Sequence, residues 1–572
     1  MKKLCVILLV LVVLLGAGLG YVYFKWKKDL TTWDITAAER ISGLSFTGEE
    51  RRMMLGDLKR NISSYLELRK VEIPNSIPPA LLFAPLIAGE EGSFVRHRIE
   101  IPPDPNLAVP EDPNDLAYYP VTALGRLIRG RKITSLELTR LYLDRLKKYG
   151  PELECIITLT EDLALEQARR ADEEIAAGRY RGPLHGIPWG AKDLLATRGF
   201  KTTWGAMPYR DQVIDEDATV VKRLEEAGAV LVAKLTMGAL AMGDVWYDGR
   251  TRNPWNLEQG SSGSSAGSAA ATAAGLVGFA IGTETLGSIV SPSTRCGVTG
   301  LRPTFGRVSR HGAMALSWSM DKIGPICRSA EDCALVFNAI YGPDGKDRTV
   351  LNHSFQWMSG RDIATLRIGY LEESFESEYD NKENDQAVLD TFRELGVELI
   401  PIRLPEMPVG AMRFILSAEA AAAFDELTRS NRDDLLVRQS RGAWPNSFRR
   451  SRMVPAVEYI QANRLRTLLM QRMEELMRDI DVYIAPTGAR SSNLLITNLT
   501  GHPTVVLPQG FDPEGGPTSI QFVGKLMGEA DVLSAAQAFQ EATGFHLRHP
   551  DLDANIASYK ATLAGQEENL RD

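Results

Sequence analysis

The sequence is poor in residues that cross-link chains or bind metals. Its 572 residues include five cysteines at irregular spacing: Cys5, Cys155, Cys296, Cys327 and Cys333. An odd number of cysteines without a CxxC pair predicts neither a disulfide framework nor a zinc site. The seven histidines are scattered, and no neighbouring residues complete a metal site around His546 and His549. We therefore expect surface or packing roles for that pair.

A strong excess of charge of one sign is also missing. Lysine and arginine total 65 against 73 aspartate and glutamate residues, which gives a net charge of −8. The chain has no lysine- and arginine-rich block of the kind that binds nucleic acid, so we expect no nucleic-acid partner. With 44% hydrophobic and 24% charged residues, the composition is that of a globular protein with one large domain or several smaller ones.

A long uncharged segment lies at the N-terminus, from Leu4 to Phe24. As a helix it would span about 31 Å, close to the ~30 Å of a bilayer core. Three lysines around Trp26 follow it, which is typical of a membrane-interface anchor. We expect an uncleaved anchor within residues 1–28, with a cleaved signal peptide or a buried core helix as the alternatives. The rest of the chain is then expected to be membrane-anchored or exported, on the extracytoplasmic side.

The remaining pattern divides the chain further. Residues 29–115 are expected to form an N-terminal arm, helical to about residue 75 with a helix start at Thr47, and proline-rich thereafter. From residue 116 to 550, helices alternate with short apolar strands, such as a helix at Thr219–Ala227 and a strand at Val230–Ala233. This alternation predicts an α/β domain, and residues 551–572 form a tail.

One stretch, residues 259–304, is dominated by glycine, serine and alanine. Such a composition is usually that of a flexible linker. Here an alanine-rich helix at Ser268–Leu276 and a short apolar strand at Gly278–Gly282 are predicted inside the stretch, which favours a folded domain instead. Glycine in the flanking turns permits close backbone approach, which is how a serine and several N–H groups are presented to one point.

A candidate base accompanies these serines. The chain has no GxSxG nucleophile elbow and no histidine in a recognisable triad setting, so a serine–histidine–acid triad is not predicted. A lysine whose pKa is lowered by burial can accept a proton instead. Lys192 ends the segment PLHGIPWGAK, whose apolar, glycine- and proline-containing character favours burial. The alternative for any single lysine is an exposed surface position.

Three motifs together resemble the amidase signature family. GIPWGAKD contains Lys192, GSSGSSAGS contains Ser264, and ETLGS ends with Ser288 where the family usually has DTGGS. The resemblance covers roughly residues 116–550. It implies an α/β/α fold in which helices cover a mixed, twisted sheet, and the A subunits of bacterial glutamyl-tRNA amidotransferases are among the similar sequences.

The resemblance also implies a reaction. Ser288 would attack an amide carbon, and its proton would pass through Ser264, the cis-serine of the family, to neutral Lys192. The oxyanion hole would consist of the backbone N–H groups of four residues: Thr285, Leu286, Gly287 and Ser288. The family's mechanism implies no metal and no cofactor.

Two positions depart from the family pattern. Leu286 stands where glycine is usual, which predicts an altered oxyanion loop or a narrower acyl pocket. Val290 stands where many members carry arginine, which favours a less charged substrate. Sequence drift without functional meaning explains either substitution equally well. Met237, Met242 and Trp246 are candidate walls of the acyl pocket, with core packing as the alternative for each.

We therefore expect a serine hydrolase that cleaves linear amides of small molecules. A component of a tRNA-dependent amidotransferase, which requires partner subunits, is the first alternative. The expected anchor at residues 4–24 argues against it because charged tRNA is cytoplasmic. An esterase that uses the same acyl-enzyme is the second alternative. A non-catalytic scaffold is the third, and retention of all three motif residues argues against it.

Overall fold

The computed structural model describes residues 30–71, 81, 96, 97, 99, 101, 102 and 104–569. The expected anchor at residues 4–24 lies outside these residues, as does most of the proline-rich segment before residue 104, and both stay predictions. Within the described part of the chain, no helix is both long and apolar enough to cross a membrane.

The secondary structure of the described residues alternates between helices and strands. The α-helices are α1 (Thr32–Ser42), α2 (Gly48–Arg69), α3 (Val121–Arg129), α4 (Ser135–Leu153), α5 (Glu161–Ala176), α6 (Thr219–Glu226), α7 (Ala266–Ala273), α8 (Val290–Cys296), α9 (Ala330–Ile340), α10 (Glu372–Glu376), α11 (Lys382–Glu394), α12 (Phe414–Ala423), α13 (Asp425–Arg429), α14 (Trp444–Ser451), α15 (Ala456–Leu476), α16 (Asn493–Thr500), α17 (Glu529–Thr543) and α18 (Leu552–Asn569). The strands are β1 (Ile156–Leu159), β2 (Pro188–Lys192), β3 (Val230–Leu235), β4 (Val245–Trp246), β5 (Gly249–Arg250), β6 (Arg252–Asn253), β7 (Asn256–Gly260), β8 (Phe279–Glu284), β9 (Thr299–Arg302), β10 (Lys322–Cys327), β11 (Ile368–Leu371), β12 (Leu399–Ile402), β13 (Val482–Pro486), β14 (Thr504–Phe511) and β15 (Pro517–Gly524).

The N-terminal arm contains two helices where the sequence predicts a helical segment. Helix α1 ends at Gly43, which adopts a left-handed conformation with φ of 66° that glycine takes without strain. Helix α2 begins after Thr47, as predicted. The Thr47 hydroxyl accepts a hydrogen bond from the Glu50 N–H at 3.3 Å, and the Glu50 carboxylate accepts one from the Thr47 N–H. The arm is therefore two capped helices rather than one.

Eleven strands form one sheet in the order β1-β3-β2-β8-β10-β9-β14-β15-β13-β11-β12. Strand β2 runs parallel to both β3 and β8, and β11 runs parallel to β12 and β13, whereas the other pairs are antiparallel. The sheet is therefore mixed, in agreement with the fold that the family resemblance implies. Two short ribbons, β4–β5 and β6–β7, lie outside it.

Both faces of this sheet are covered. In β8, Phe279 and Ile281 belong to one hydrophobic cluster, while Ala280 between them belongs to another. Successive side chains of a strand point to opposite faces, so the two clusters lie on opposite sides of the sheet. Burial on both faces requires helices on both sides, which gives the three-layer α/β/α arrangement.

The parallel pair β2–β8 sets the position of the candidate site. Ala191 in β2 is paired with Ile281 in β8, so the carboxyl ends of these strands lie side by side. Helix α7, between them in the chain, is buried at all eight positions and ends before Gly275, whose φ is 64°. The helix therefore starts two residues earlier and ends three residues earlier than predicted.

Candidate active site

Lys192 is the last residue of β2 and is completely buried. Burial removes water from the ammonium group and lowers the pKa of Lys192 from 10.5 to about 7, although the carboxylates of Asp321 and Glu284 oppose the shift. Near neutral pH a large fraction of this lysine is therefore uncharged. A neutral amine has a lone pair and accepts a proton, which an ammonium cannot do.

The Lys192 amino group lies among hydroxyl groups. Its Nζ is 2.8 Å from Ser264 Oγ, 3.0 Å from Ser265 Oγ and 2.8 Å from Thr283 Oγ1. Ser265 Oγ donates to the Thr283 carbonyl at 3.1 Å and accepts from the Thr283 N–H at 3.1 Å. In the described structure the hydrogen bond to Lys192 is the only one that Ser264 Oγ makes. Its proton is therefore free to move toward Lys192, whereas that of Ser265 is already engaged.

The turn that carries Ser264 also contacts Ser288. The peptide bond between Gly263 and Ser264 is cis, and a Cβ at Gly263 would lie 1.9 Å from the Gly243 carbonyl oxygen. Only glycine therefore fits beside Gly243. The Ser265 N–H donates to the Ser288 carbonyl at 3.1 Å, which ties the turn to the segment after β8. The structure thus brings Lys192, Ser264 and Ser288 together.

Ser288 follows β8 in an irregular loop and is 7% exposed. Within the described residues its hydroxyl makes no hydrogen bond, and the N–H groups of the loop, at positions 285–288, donate none either. Gly287 has a φ of 87°, which favours glycine, but Leu286 is outside that region. Leu286 is therefore compatible with an ordinary backbone conformation, and four free N–H groups lie beside the Ser288 hydroxyl.

Glu284 fixes this loop, and the sequence motifs alone assign it no role. Its Oε2 accepts hydrogen bonds from the backbone N–H groups of Ile289 and Val290 at 2.8 and 2.9 Å. Its Oε1 accepts hydrogen bonds from Arg302 Nη1 and Asn498 Nδ2, both at 2.8 Å. Burial alone would raise the pKa of Glu284, but Arg302, Lys322 and these hydrogen bonds lower it to about 2. The carboxylate stays charged and holds both ends of the Ser288 loop.

Asp321 holds the other side of the loop. Its Oδ1 accepts a hydrogen bond from the Thr285 hydroxyl at 2.6 Å. Its Oδ2 accepts hydrogen bonds from the backbone N–H groups of Leu316 and Ser317 at 2.8 and 2.9 Å. Burial raises the pKa of Asp321, and these hydrogen bonds oppose that shift. Asp321 therefore connects the loop of free N–H groups to the segment around residues 316–317.

A cavity of about 420 Å³ opens beside Thr283 and Thr285. None of the candidate pocket walls Met237, Met242 and Trp246 lines it. Met237 and Trp246 are buried, and Met242 packs against the main hydrophobic cluster, so core packing is the role observed for them. The cavity instead lies against residues 310–323 and 346–349, for which the sequence motifs predict no function.

A family model described as Amidase matches residues 137–495. The chain belongs to the amidase family. The A subunit of glutamyl-tRNA(Gln) amidotransferase from Heliobacterium modesticaldum is 36% identical over 486 residues, which cover 76% of this chain and 100% of the relative. An amidase family protein from Bacillus anthracis has 26% identity and a TM-score of 0.67, with coverage of 76% and 92%. The peptide amidase of Stenotrophomonas maltophilia has 27% identity and a TM-score of 0.65, with coverage of 76% and 98%.

The anchoring role of Glu284 has a measurable consequence for the stability of the protein. Glu284→Gln should lower the free energy of unfolding by about 3–5 kcal/mol, because it leaves Arg302 without its charged partner in the core. Thermal or urea denaturation measures the change. The matched control is Glu372→Gln, which removes a carboxylate from an exposed ion pair with Arg403 and should change stability little. Equal stabilities for the two variants would contradict the anchoring role.

Proposed function

We propose that this protein hydrolyses a carboxylic amide through an acyl-enzyme on Ser288. The observation that carries the proposal is the 2.8 Å contact between Ser264 Oγ and a fully buried Lys192 whose pKa is lowered to about 7. Such a pair accepts a proton near neutral pH without a histidine. The unpartnered Ser288 hydroxyl lies on the adjoining segment.

In the proposed reaction Ser288 Oγ forms a bond to the amide carbon as its proton passes to Ser264 and the Ser264 proton passes to Lys192. The carbonyl oxygen becomes an oxyanion, which the N–H groups of residues 285–288 stabilise. An amine anion is too basic to leave, so the proton returns along the same path to the nitrogen as the C–N bond breaks. Water then attacks the acyl-enzyme by the reverse sequence of transfers and releases the acid.

A second candidate is a role within an amidotransferase, in which the released ammonia is used on tRNA rather than lost. Its support is the 36% identity to a relative named as the A subunit of glutamyl-tRNA(Gln) amidotransferase, with the whole relative covered. Amide cleavage by the same three residues serves both candidates. They differ in substrate range and in the need for partner subunits.

One assay separates the candidates. The purified chain, with no other protein added, is incubated with glutamine and with aliphatic, aromatic and peptide amides, and ammonia or amine release is measured. Turnover of several amides by the chain alone is the expected result. A parallel incubation adds the partner subunits of the amidotransferase. Ammonia release from glutamine only, and only in that second incubation, would overturn the proposal in favour of the amidotransferase. Each amide is tested beside the ester of the same acid. Turnover of the esters without turnover of the matching amides would indicate an esterase.

A further inference from the structure

The cavity beside the proposed catalytic residues has an apolar interior. Met314, Leu316 and Ile323 line it and are largely buried. Thr283, whose hydroxyl is 2.8 Å from Lys192 Nζ, and Thr285, three residues before Ser288, also line it, whereas Lys192, Ser264 and Ser288 themselves do not. At about 420 Å³ it falls within the range of small-molecule sites. The cavity therefore has the size and the apolar walls to hold an aliphatic or aromatic segment of a substrate.

The mouth of the cavity has a different character. Trp318, at 51% exposure, lines it together with the exposed cations Lys346 and Arg348. The mouth therefore combines a flat apolar surface with two positive charges.

Both cations lack a carboxylate partner among the described contacts, although Lys346 Nζ lies 3.3 Å from His311 Nε2, which in turn lies 3.2 Å from Glu216 Oε2. Arg310, which also lines the cavity, forms an ion pair with Asp347 at 2.9 Å. The Asp347 carboxylate also accepts a hydrogen bond from the Thr349 hydroxyl. In the described part of the chain neither Lys346 nor Arg348 forms an ion pair with a carboxylate. Among the other ionisable groups of the lining, Arg310 is offset by Asp347, while burial lowers the pKa of Lys322 and raises that of Asp321. Lys346 and Arg348 therefore supply the excess positive charge, although the chain carries a net charge of −8. The cavity is thus a positive region of an acidic protein, which attracts anions.

We propose that the substrate is an amide with an anionic group at the end of an apolar segment, and that Lys346 and Arg348 bind this anion. The inference rests on the proposed amide hydrolysis, since it places the scissile bond at Ser288 and the anion at the mouth. It differs from the expectation of a less charged substrate based on Val290. Val290 is buried, and its backbone N–H donates a hydrogen bond to Glu284. The two cations, Lys346 and Arg348, come from another segment of the chain.

The test uses matched anilides. One series carries a carboxylate at the end of acyl chains of increasing length, and its partner series carries an isopropyl group of similar shape in its place. A second pair of series carries the same groups on the aniline side. In at least one series kcat/KM should favour the carboxylate by about tenfold or more, and 0.5 M NaCl should reduce the preference by screening the charges.

Variants assign the preference to the two cations. Lys346→Gln combined with Arg348→Gln should remove most of the preference, because kcat/KM should fall much more for the carboxylate anilides than for the isopropyl anilides. The matched control is Lys59→Gln, which removes the charge of an exposed lysine in α2 that does not line the cavity. It should leave the preference unchanged. A preference that survives the double substitution would overturn the assignment.

Binding separates this inference from the proposed function. Dissociation constants of the same anilides are measured on Ser288→Ala, which binds without turnover. Selective binding of carboxylates that the double substitution abolishes, with no turnover by the unmodified chain, would support the anion site and contradict the hydrolase. Turnover without any preference for carboxylates in either series would overturn the anion site and leave the hydrolase in place.

Discussion

Replacement of Ser288 by alanine is expected to reduce amide turnover by about 10⁴-fold or more and to abolish covalent labelling by a fluorophosphonate. The Ser288 hydroxyl is the group that would form the acyl-enzyme, and the surrounding N–H groups cannot substitute for a nucleophile. Turnover is measured by amine release, and labelling by mass spectrometry of the intact protein. The substitution removes one oxygen atom that makes no hydrogen bond in the described structure, so thermal stability should be retained.

The two serines near Lys192 supply the controls for this experiment. Ser264→Ala keeps the nucleophile but interrupts proton transfer, so it should slow labelling strongly without preventing it. Ser265→Ala should be milder in turnover, because the Ser265 proton is engaged with the Thr283 carbonyl. Labelling of Ser288→Ala at another residue at an undiminished rate would contradict the assignment of the nucleophile.

Replacement of Lys192 by methionine should reduce kcat/KM by about 10³-fold or more and change its pH dependence. In the unmodified enzyme the lysine acts only in its neutral form, so kcat/KM should rise with pH and level off above the pKa of about 7. Below that pH the ammonium form dominates and the rate falls. Methionine has a similar length but no ionisable group, so this inflection should disappear from the pH profile.

A histidine-based mechanism makes the opposite prediction and is tested with His311, which lines the cavity and faces Glu216 at 3.2 Å. If His311→Gln is as damaging as Lys192→Met, the base has been misassigned. A correctly folded Lys192→Met enzyme with near-normal turnover would contradict the mechanism, although the family membership would stand. Circular dichroism and thermal denaturation verify folding in both variants.

The sequence is sufficient to predict the parts of the site that are encoded locally. The motifs around Lys192, Ser264 and Ser288 each form a short segment, and the structure brings the three segments together. Periodicity and capping residues also locate most of the predicted elements, such as the start of α2 after Thr47. The predicted start of α7 is wrong because the turn at Ser264–Ser265 leads directly into the helix, which composition alone does not reveal.

The parts that escape prediction depend on contacts between distant residues. Glu284 is identified as an anchor only when Arg302 and Asn498 are placed beside it, and these residues come from β9 and α16. Asp321 becomes recognisable only through the hydrogen bond that it accepts from Thr285, in the loop after β8. The walls of the cavity escape prediction for the same reason, since strand order decides which loops meet. In the sequence, the signal that points to Glu284 is an acidic residue at the end of an apolar strand, immediately before the glycine- and serine-containing turn.

A completely buried lysine also links folding to proton release. The unfolded chain binds the Lys192 proton with an ordinary pKa of 10.5, whereas the folded chain binds it with a pKa of about 7. Between these values the unfolded state holds more protons, so the contribution of Lys192 to stability rises with pH across this window. It is fully present above pH 10.5 and is lost as the pH falls to 7, a difference of about 5 kcal/mol. At neutral pH the fold therefore carries a thermodynamic penalty at the residue whose neutral form the proposed reaction requires.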